Sequence, residues 1–199
     1  MRNNHAVVVA TRFLLILTLL CGGLYPLTIT IFGQLLFPGR SNGSLVYIGG
    51  RPTGSELLAQ KWSNPKYFHS RPSANGYATL TSAGSNFSPT SAALRDSIVH
   101  RRLRFQNENG LSMNTTIPVE MLCSSGSGLD PHISPAAAQM QVTRIATARR
   151  LSATQQHLLK KLIERKTEGR QFGILGGPRV NVLQLNLLLD NSKEFVTFK

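Results

Sequence analysis

Acidic residues are scarce in this chain of 199: nine Asp and Glu stand against 22 Lys and Arg. So few carboxylates leave little material for paired-carboxylate catalysis. There are two cysteines, Cys21 and Cys123. One lies inside an apolar run and the other far beyond it, so no disulfide framework is expected. Cys123 reads as a small buried apolar residue. The five histidines, His5, His69, His100, His132 and His157, never reach metal-ligand spacing with one another or with the cysteines. No G-x-x-x-x-G-K-S/T phosphate loop is present, "GSGLDP" lacks the third glycine of a dinucleotide loop, and no G-x-S-x-G elbow occurs. Asp130 and His132 come nearest to an acid–base couple, but Asp130-Pro131 reads as turn chemistry. No catalytic residue, metal ligand or directly bound cofactor is expected.

What is present starts with "TRFLLILTLLCGGLYPLTITIFGQLLFPG", Thr11 to Gly39, uncharged from Phe13 to Phe37. A helix rises about 1.5 Å per residue and the bilayer's apolar layer is about 30 Å thick, so about 20 residues cross it. A signal peptide's apolar core is about 7–15 residues and ends in a small-x-small site. The run is longer and no Ala-x-Ala site follows, which favours a retained anchor over cleavage. Lipidation of Cys21 is a third option, disfavoured by Leu20 before it. Arg2 and Arg12 precede the span, and Arg40 and Arg51 follow it, so charge alone hardly orients it. The short leading tail makes N-inside the simpler choice. Expected boundaries are a cytoplasmic tail over 1–11, a transmembrane helix over 12–33 and one extracytoplasmic domain over 34–199. Gly22, Gly23 and Pro26 interrupt the leucines. Small residues let a second helix approach, and a proline frees a carbonyl, so these three are the expected packing residues.

Beyond the span, a strand is expected at Leu45–Ile48 between turns. A long Ser/Asn/Gly/Pro-rich loop follows from Lys61 to Ser91, with Trp62, Tyr67, Phe68, Tyr77 and Phe87 to pin it down. Ser91 caps a helix with Ala93, Leu94, Ile98 and Phe105 inside and Arg95, Arg101, Arg102 and Arg104 on its other faces. Thr115–Leu122 reads as a short edge strand. Ser134 and Pro135 start a helix with Ala138, Val142 and Ile145 on one face. Ser152 and Gln155 form a capping box for a helix with Leu158, Leu159, Leu162 and Ile163 as its core stripe. Arg179–Asp190 reads as a buried strand through Val180, Val182, Leu183, Leu185 and Leu187, or as a helix in its second half. The fold class is a single transmembrane helix plus one mixed α/β (α+β) domain.

The excess of cations attracts anions, and on a tethered domain lipid head groups or a protein partner suit it better than nucleic acid. Residues alone thus leave three readings: an accessory subunit, a tethered domain binding an anionic ligand through Arg101, Arg102 and Arg104, and a secreted enzyme if the span is removed.

Seven stretches in order then resemble one family: "GGLYPLTITIFGQLLFP", "NGSL", "GSELLAQ", "YFHSRPSA", "AGSN", "SGLDPHISPAAAQMQVTRIATAR" and "FGILGGPRVNVLQLNLLLD". Together they resemble the KdpC family, the C subunit of the Kdp potassium-transporting ATPase. Ser70 stands where the family usually has glycine. The resemblance implies one span and an outer-face domain at the bacterial inner membrane. It implies two partners, a channel-like potassium-binding subunit and a P-type ATPase subunit, which handle potassium and ATP. It further implies a part in assembly and a catalytic-chaperone effect that raises the pump subunit's affinity for ATP. With no phosphate loop and a membrane between an outer domain and cytoplasmic ATP, that effect is expected to act through helix packing. Tyr67, Phe68, Arg71, Ser73, Ser85 and Asn86 are the expected partner-contact residues.

Overall fold

The computed structural model describes residues 2–192 and residue 195. Met1, 193–194 and 196–199, which belong to the expected tail and domain, lie outside the described residues. The chain divides into two units, Met1–Thr53 and Gly54–Lys199.

In the first unit, leucine-rich helix formers build α1, Arg2–Leu19, and α2, Tyr25–Leu36, joined by a π-helical turn at Leu20–Leu24. That turn sits where Gly22 and Gly23 meet Pro26. Proline has no N–H, and its ring crowds the carbonyl four residues back, here that of Gly22. Widening the turn removes the conflict: the Tyr25 N–H donates to Leu20 O instead. Thr28 and Thr30 turn their hydroxyls onto Leu24 O and Pro26 O at 2.7 and 2.8 Å, so they add no unpaired donor to the apolar surface. His5–Leu36 is long and apolar enough to cross a membrane, and none of its most apolar window is buried by the rest of the chain. The helix therefore outruns the expected 12–33 at both ends. A short helix α3, Pro38–Ser41, leads to a hairpin of β1, Leu45–Ile48, and β2, Arg51–Ser55. Its two-residue loop is Gly49-Gly50, with φ of +56° and +77° at the two positions. Two left-handed residues in a row define the turn whose twist matches a hairpin, and glycine takes them without strain.

In the second unit the body mixes helix and strand, with helix dominant. α4 is Ala92–Asn109, α5 Pro135–Arg149, α6 Ala153–Arg165 and α7 Val182–Asn191. The capping residues act as their chemistry requires: Ser91, Ser134 and Ser152 each accept from the N3 amide, and Gln155 completes a capping box. Two short strands, β3 (His132–Ile133) and β4 (Val180–Asn181), pair antiparallel, His132 with Asn181 and Ile133 with Val180. Each strand runs at once into a helix, β3 into α5 and β4 into α7. The ribbon thus sets the starts of α5 and α7 side by side. Ala138, Val142 and Ile145 of α5, Leu159 and Ile163 of α6, and Val182, Leu185 and Leu189 of α7 form the core with Phe68 and Phe105. Leu158 and Leu162 pack partly buried against it.

Four expectations change. Thr115–Leu122 is not a strand: it is irregular up to a 3₁₀ turn at Val119–Met121 and, among the described residues, has no strand to pair with. The strand at Val180 lasts two residues, because Asn181 accepts from the Gln184 N–H and starts α7. In α4 the buried residues are Phe105, Gln106 and Asn109, while Ala93 is exposed and Leu94 and Ile98 are half-buried. Cys123 is half-buried rather than buried.

Candidate functional site

The segment Lys66–Ser70 leaves a turn at Asn64–Tyr67 and joins no sheet. Its backbone polar groups cannot be left bare beside the core. Side chains from α5 and α7 serve them. Asn186 accepts from the Phe68 N–H at 2.8 Å and donates to Phe68 O at 3.0 Å. Gln141 does the same for His69, accepting at 2.7 Å and donating at 3.3 Å. Arg144 donates to Tyr67 O at 2.9 Å, and Arg149 to Lys66 O at 2.8 Å. Two carboxamides, each 0% exposed, thus stand in for a neighbouring strand.

The charges around this ladder follow from burial. Arg144 donates to Gln141 Oε1 at 2.8 Å and lies 4.0 Å from the Glu108 carboxylate. Burial lowers its pKa to about 10, which leaves it charged at neutral pH. His69 faces the same guanidinium at 2.7 Å. Burial first, and Arg144 second, lower its pKa to about 4, so the imidazole is neutral and accepts from Arg144.

The expected contact residues now separate. Phe68 is a correction: it is 0% exposed and belongs to the core cluster, so it cannot present itself to a partner. Tyr67 donates to Asp190 at 2.8 Å, with Arg149 5.0 Å over its ring and Trp62 4.8 Å away. The Asp190 hydrogen bond raises its phenol pKa. Arg71 pairs with Asp130 at 2.7 Å, and both are partly exposed. Asp130 also accepts from the His132 N–H at 3.0 Å, an Asx turn, as the Asp-Pro sequence implies. Burial pushes the Asp130 carboxyl up, but bonds from His132 and Arg71 outweigh it and hold the pKa at about 2. Ser73 donates to Asn75 at 2.7 Å and accepts from the Tyr77 N–H at 2.9 Å. Ser85 is half-buried, and Asn86 is exposed with φ +51°, a left-handed position that asparagine tolerates. Their loop rests on the "GSGLDP" turn: the Ala83 N–H donates to Ser127 O at 3.1 Å. A Cβ on Gly128 would lie 2.9 Å from Ala83 O, so only glycine lets the two strips touch. Ser70 keeps a negative φ, and its hydroxyl donates to Gln60 O at 3.3 Å; the place does not demand glycine.

Sequence reasoning missed Gln141, Arg144 and Asn186. The signal was there: all three fall among the apolar residues of an inward face, next to Val142, Ile145 and Leu185. A polar group in such a stripe has a buried partner to serve.

Beside the ladder lies a cleft of about 270 Å³ that brings Lys61, Trp62, Tyr77, Arg101, Arg104 and Glu108 together. Arg104 donates to Glu108 at 2.7 Å and Arg101 to Leu122 O at 2.9 Å. Arg102 does not line the cleft; its guanidinium reaches toward Met113 O. In the first unit a Cβ on Gly22 would meet nothing within 4 Å, and one on Gly23 would meet only Leu19 of the same helix, at 3.9 Å. The glycines leave a low strip of backbone along the apolar helix.

The comparisons with known proteins extend over both units. A family described as KdpC, K+-transporting ATPase, c chain, matches residues 7–191. The KdpC subunit of the potassium-transporting ATPase from Methylococcus capsulatus is 48% identical over 184 residues, 91% of this chain and 95% of its own. The corresponding subunit from Koribacter versatilis is 43% identical over 200 residues, 99% of each chain. That from Sorangium cellulosum is 47% identical over 189 residues, 92% of this chain and 96% of its own. With the apolar helix and the domain both inside the matched region, the chain belongs to the KdpC family.

Proposed function

We propose that this chain is a non-catalytic accessory subunit of an ATP-driven potassium uptake complex in the bacterial inner membrane. One observation carries the reading: the family match spans residues 7–191, from the apolar helix to the end of α7. The span docks through the Gly22, Gly23 and Pro26 strip against a channel-like potassium-binding subunit. The domain stands on the outer face and supports assembly with a P-type ATPase subunit. ATP and potassium are handled by those partners, and no cofactor binds here. The chain raises the pump subunit's affinity for ATP through helix packing, since an outer domain is separated from cytoplasmic nucleotide. The internal pairing of most polar groups around Lys66–Ser70 supports a structural part over a chemical one. Purification from native membranes in mild detergent tests this. The potassium-binding and ATP-hydrolysing subunits are expected to accompany the chain, and the KM for ATP to rise when the chain is removed. Recovery of the chain alone would contradict it.

A second reading has an observation of its own. Trp62 Nε1 is buried without an acceptor and lines the same cleft as Lys61, Arg101 and Arg104. An anionic ligand, a lipid head group or a nucleotide phosphate, would satisfy that N–H. Binding of either to the full chain, steeply weakened by salt and independent of the other subunits, would favour this reading.

A further inference from the structure

Among the described residues, the arm between α6 and β4 carries a cluster of strongly exposed apolar side chains. Phe172 is 92% exposed, Ile174 78% and Leu175 59%. The arm is nevertheless built. At its base the Glu168 N–H donates to Arg179 O at 2.8 Å, the Arg179 N–H returns to Glu168 O at 3.0 Å, and the two side chains pair at 2.9 Å. Near its tip Gln171 and Leu175 exchange both backbone bonds at 2.9 Å. Inside the turn that the outer rung closes, Phe172 sits at φ +52°, in the left-handed region an aromatic residue seldom takes, followed by Gly173 at +74°. Two unfavourable features coincide at one residue: a strained backbone and a bare phenyl ring. Neither serves the domain's own core, so the strain points outward, to something that the arm meets.

We infer that the tip Phe172–Leu175 is a preformed plug that seats in an apolar pocket with an acidic rim on another subunit of the same ATPase. This rests on the accessory-subunit reading. Exposed Lys166 and Arg170 flank the arm, and positive charge around an apolar tip asks for carboxylates around its socket. A second copy of this chain is a poor occupant, because its formal net charge is +13. A lipid surface is poorer than a protein socket too. It favours Trp and Tyr at the interface and needs no fixed backbone, whereas a twice-laddered turn holds three side chains in one shape.

The test uses the full complex in native membranes, with photoreactive p-benzoylphenylalanine in place of Phe172 and, as control, in place of exposed Thr154 on α6. The expected result is an adduct from position 172, and none from 154, to another subunit of the ATPase identified by mass spectrometry. In parallel, Phe172→Ser is expected to cut co-recovered subunits at least tenfold while the melting temperature of the detergent-solubilised chain stays unchanged. If the wild-type chain brings the subunits with it but position 172 labels only lipid or nothing, the plug is overturned and the subunit reading stands. If the wild-type chain brings none, both fall.

Discussion

The segment Lys66–Ser70 and the arm of residues 168–179 lack regular structure alike, yet they are held by opposite means. The first has one backbone bond of its own, from the Tyr67 N–H to Asn64 O at 3.1 Å. Its carbonyls and amides are taken by Gln141, Arg144, Arg149 and Asn186, and Phe68 is driven into the core. The second closes on itself through backbone rungs and turns Phe172 and Ile174 outward. A loop gripped by the core is part of the fold. A loop that grips itself and shows its apolar side chains is shaped for something outside.

The largest effect expected is at the grip. Asn186→Leu leaves the Phe68 N–H and C=O buried and unpaired, and each orphan costs about 1–3 kcal/mol. A loss of about 3–4 kcal/mol follows, or roughly 10 °C in melting temperature for a chain of this size. Thermal unfolding of the detergent-solubilised protein measures it, and a shift under 3 °C would mean that the ladder carries little.

Next comes acid. The folded pKa of His69, about 4, lies below the ordinary 6.5, so the unfolded chain binds the extra proton first. Stability is therefore full above pH 6.5 and is lost as pH falls through about 4, by about 2–3 kcal/mol after allowance for partial exposure. Asp130, held at about 2 against an ordinary 3.8, adds a further loss below pH 4. His69→Gln should flatten the curve between pH 6.5 and 4; an unchanged slope would assign it elsewhere.

Arg71→Ala is expected to cost less, about 1 kcal/mol, because the Asp130 pair is partly exposed and His132 still holds the carboxylate. Smallest is Phe172→Ser, within about 0.5 kcal/mol, since the ring touches solvent. A large destabilisation there would erase the contrast between the two loops.

What was legible in the sequence follows the range of the physics. Ser91, Ser134 and Ser152 mark helix starts because a cap acts over three residues. The apolar run marks itself, since charge is absent for its whole length. The π turn was only half visible: Gly22, Gly23 and Pro26 signalled an interruption, not its form. Thr115–Leu122 misled because strand propensity counts only where a neighbour pairs, and none does among the described residues. Asn181 was read as strand interior; its cap to Gln184 decided for helix. The ladder was least visible, as Asn186 and Phe68 lie 118 residues apart. For the same reason the contact residues proposed around Phe68 mixed one core residue with several that tie the loop down, and the arm at Phe172 went unnoticed.

Hydrogen exchange on the solubilised complex and on the chain alone tests the contrast most directly. The account predicts slow exchange at the amides of Phe68 and His69 in both samples, and slowing across residues 170–176 only when the other subunits are present. Fast exchange at Phe68 in the complex, or an arm equally exposed in both samples, would contradict it.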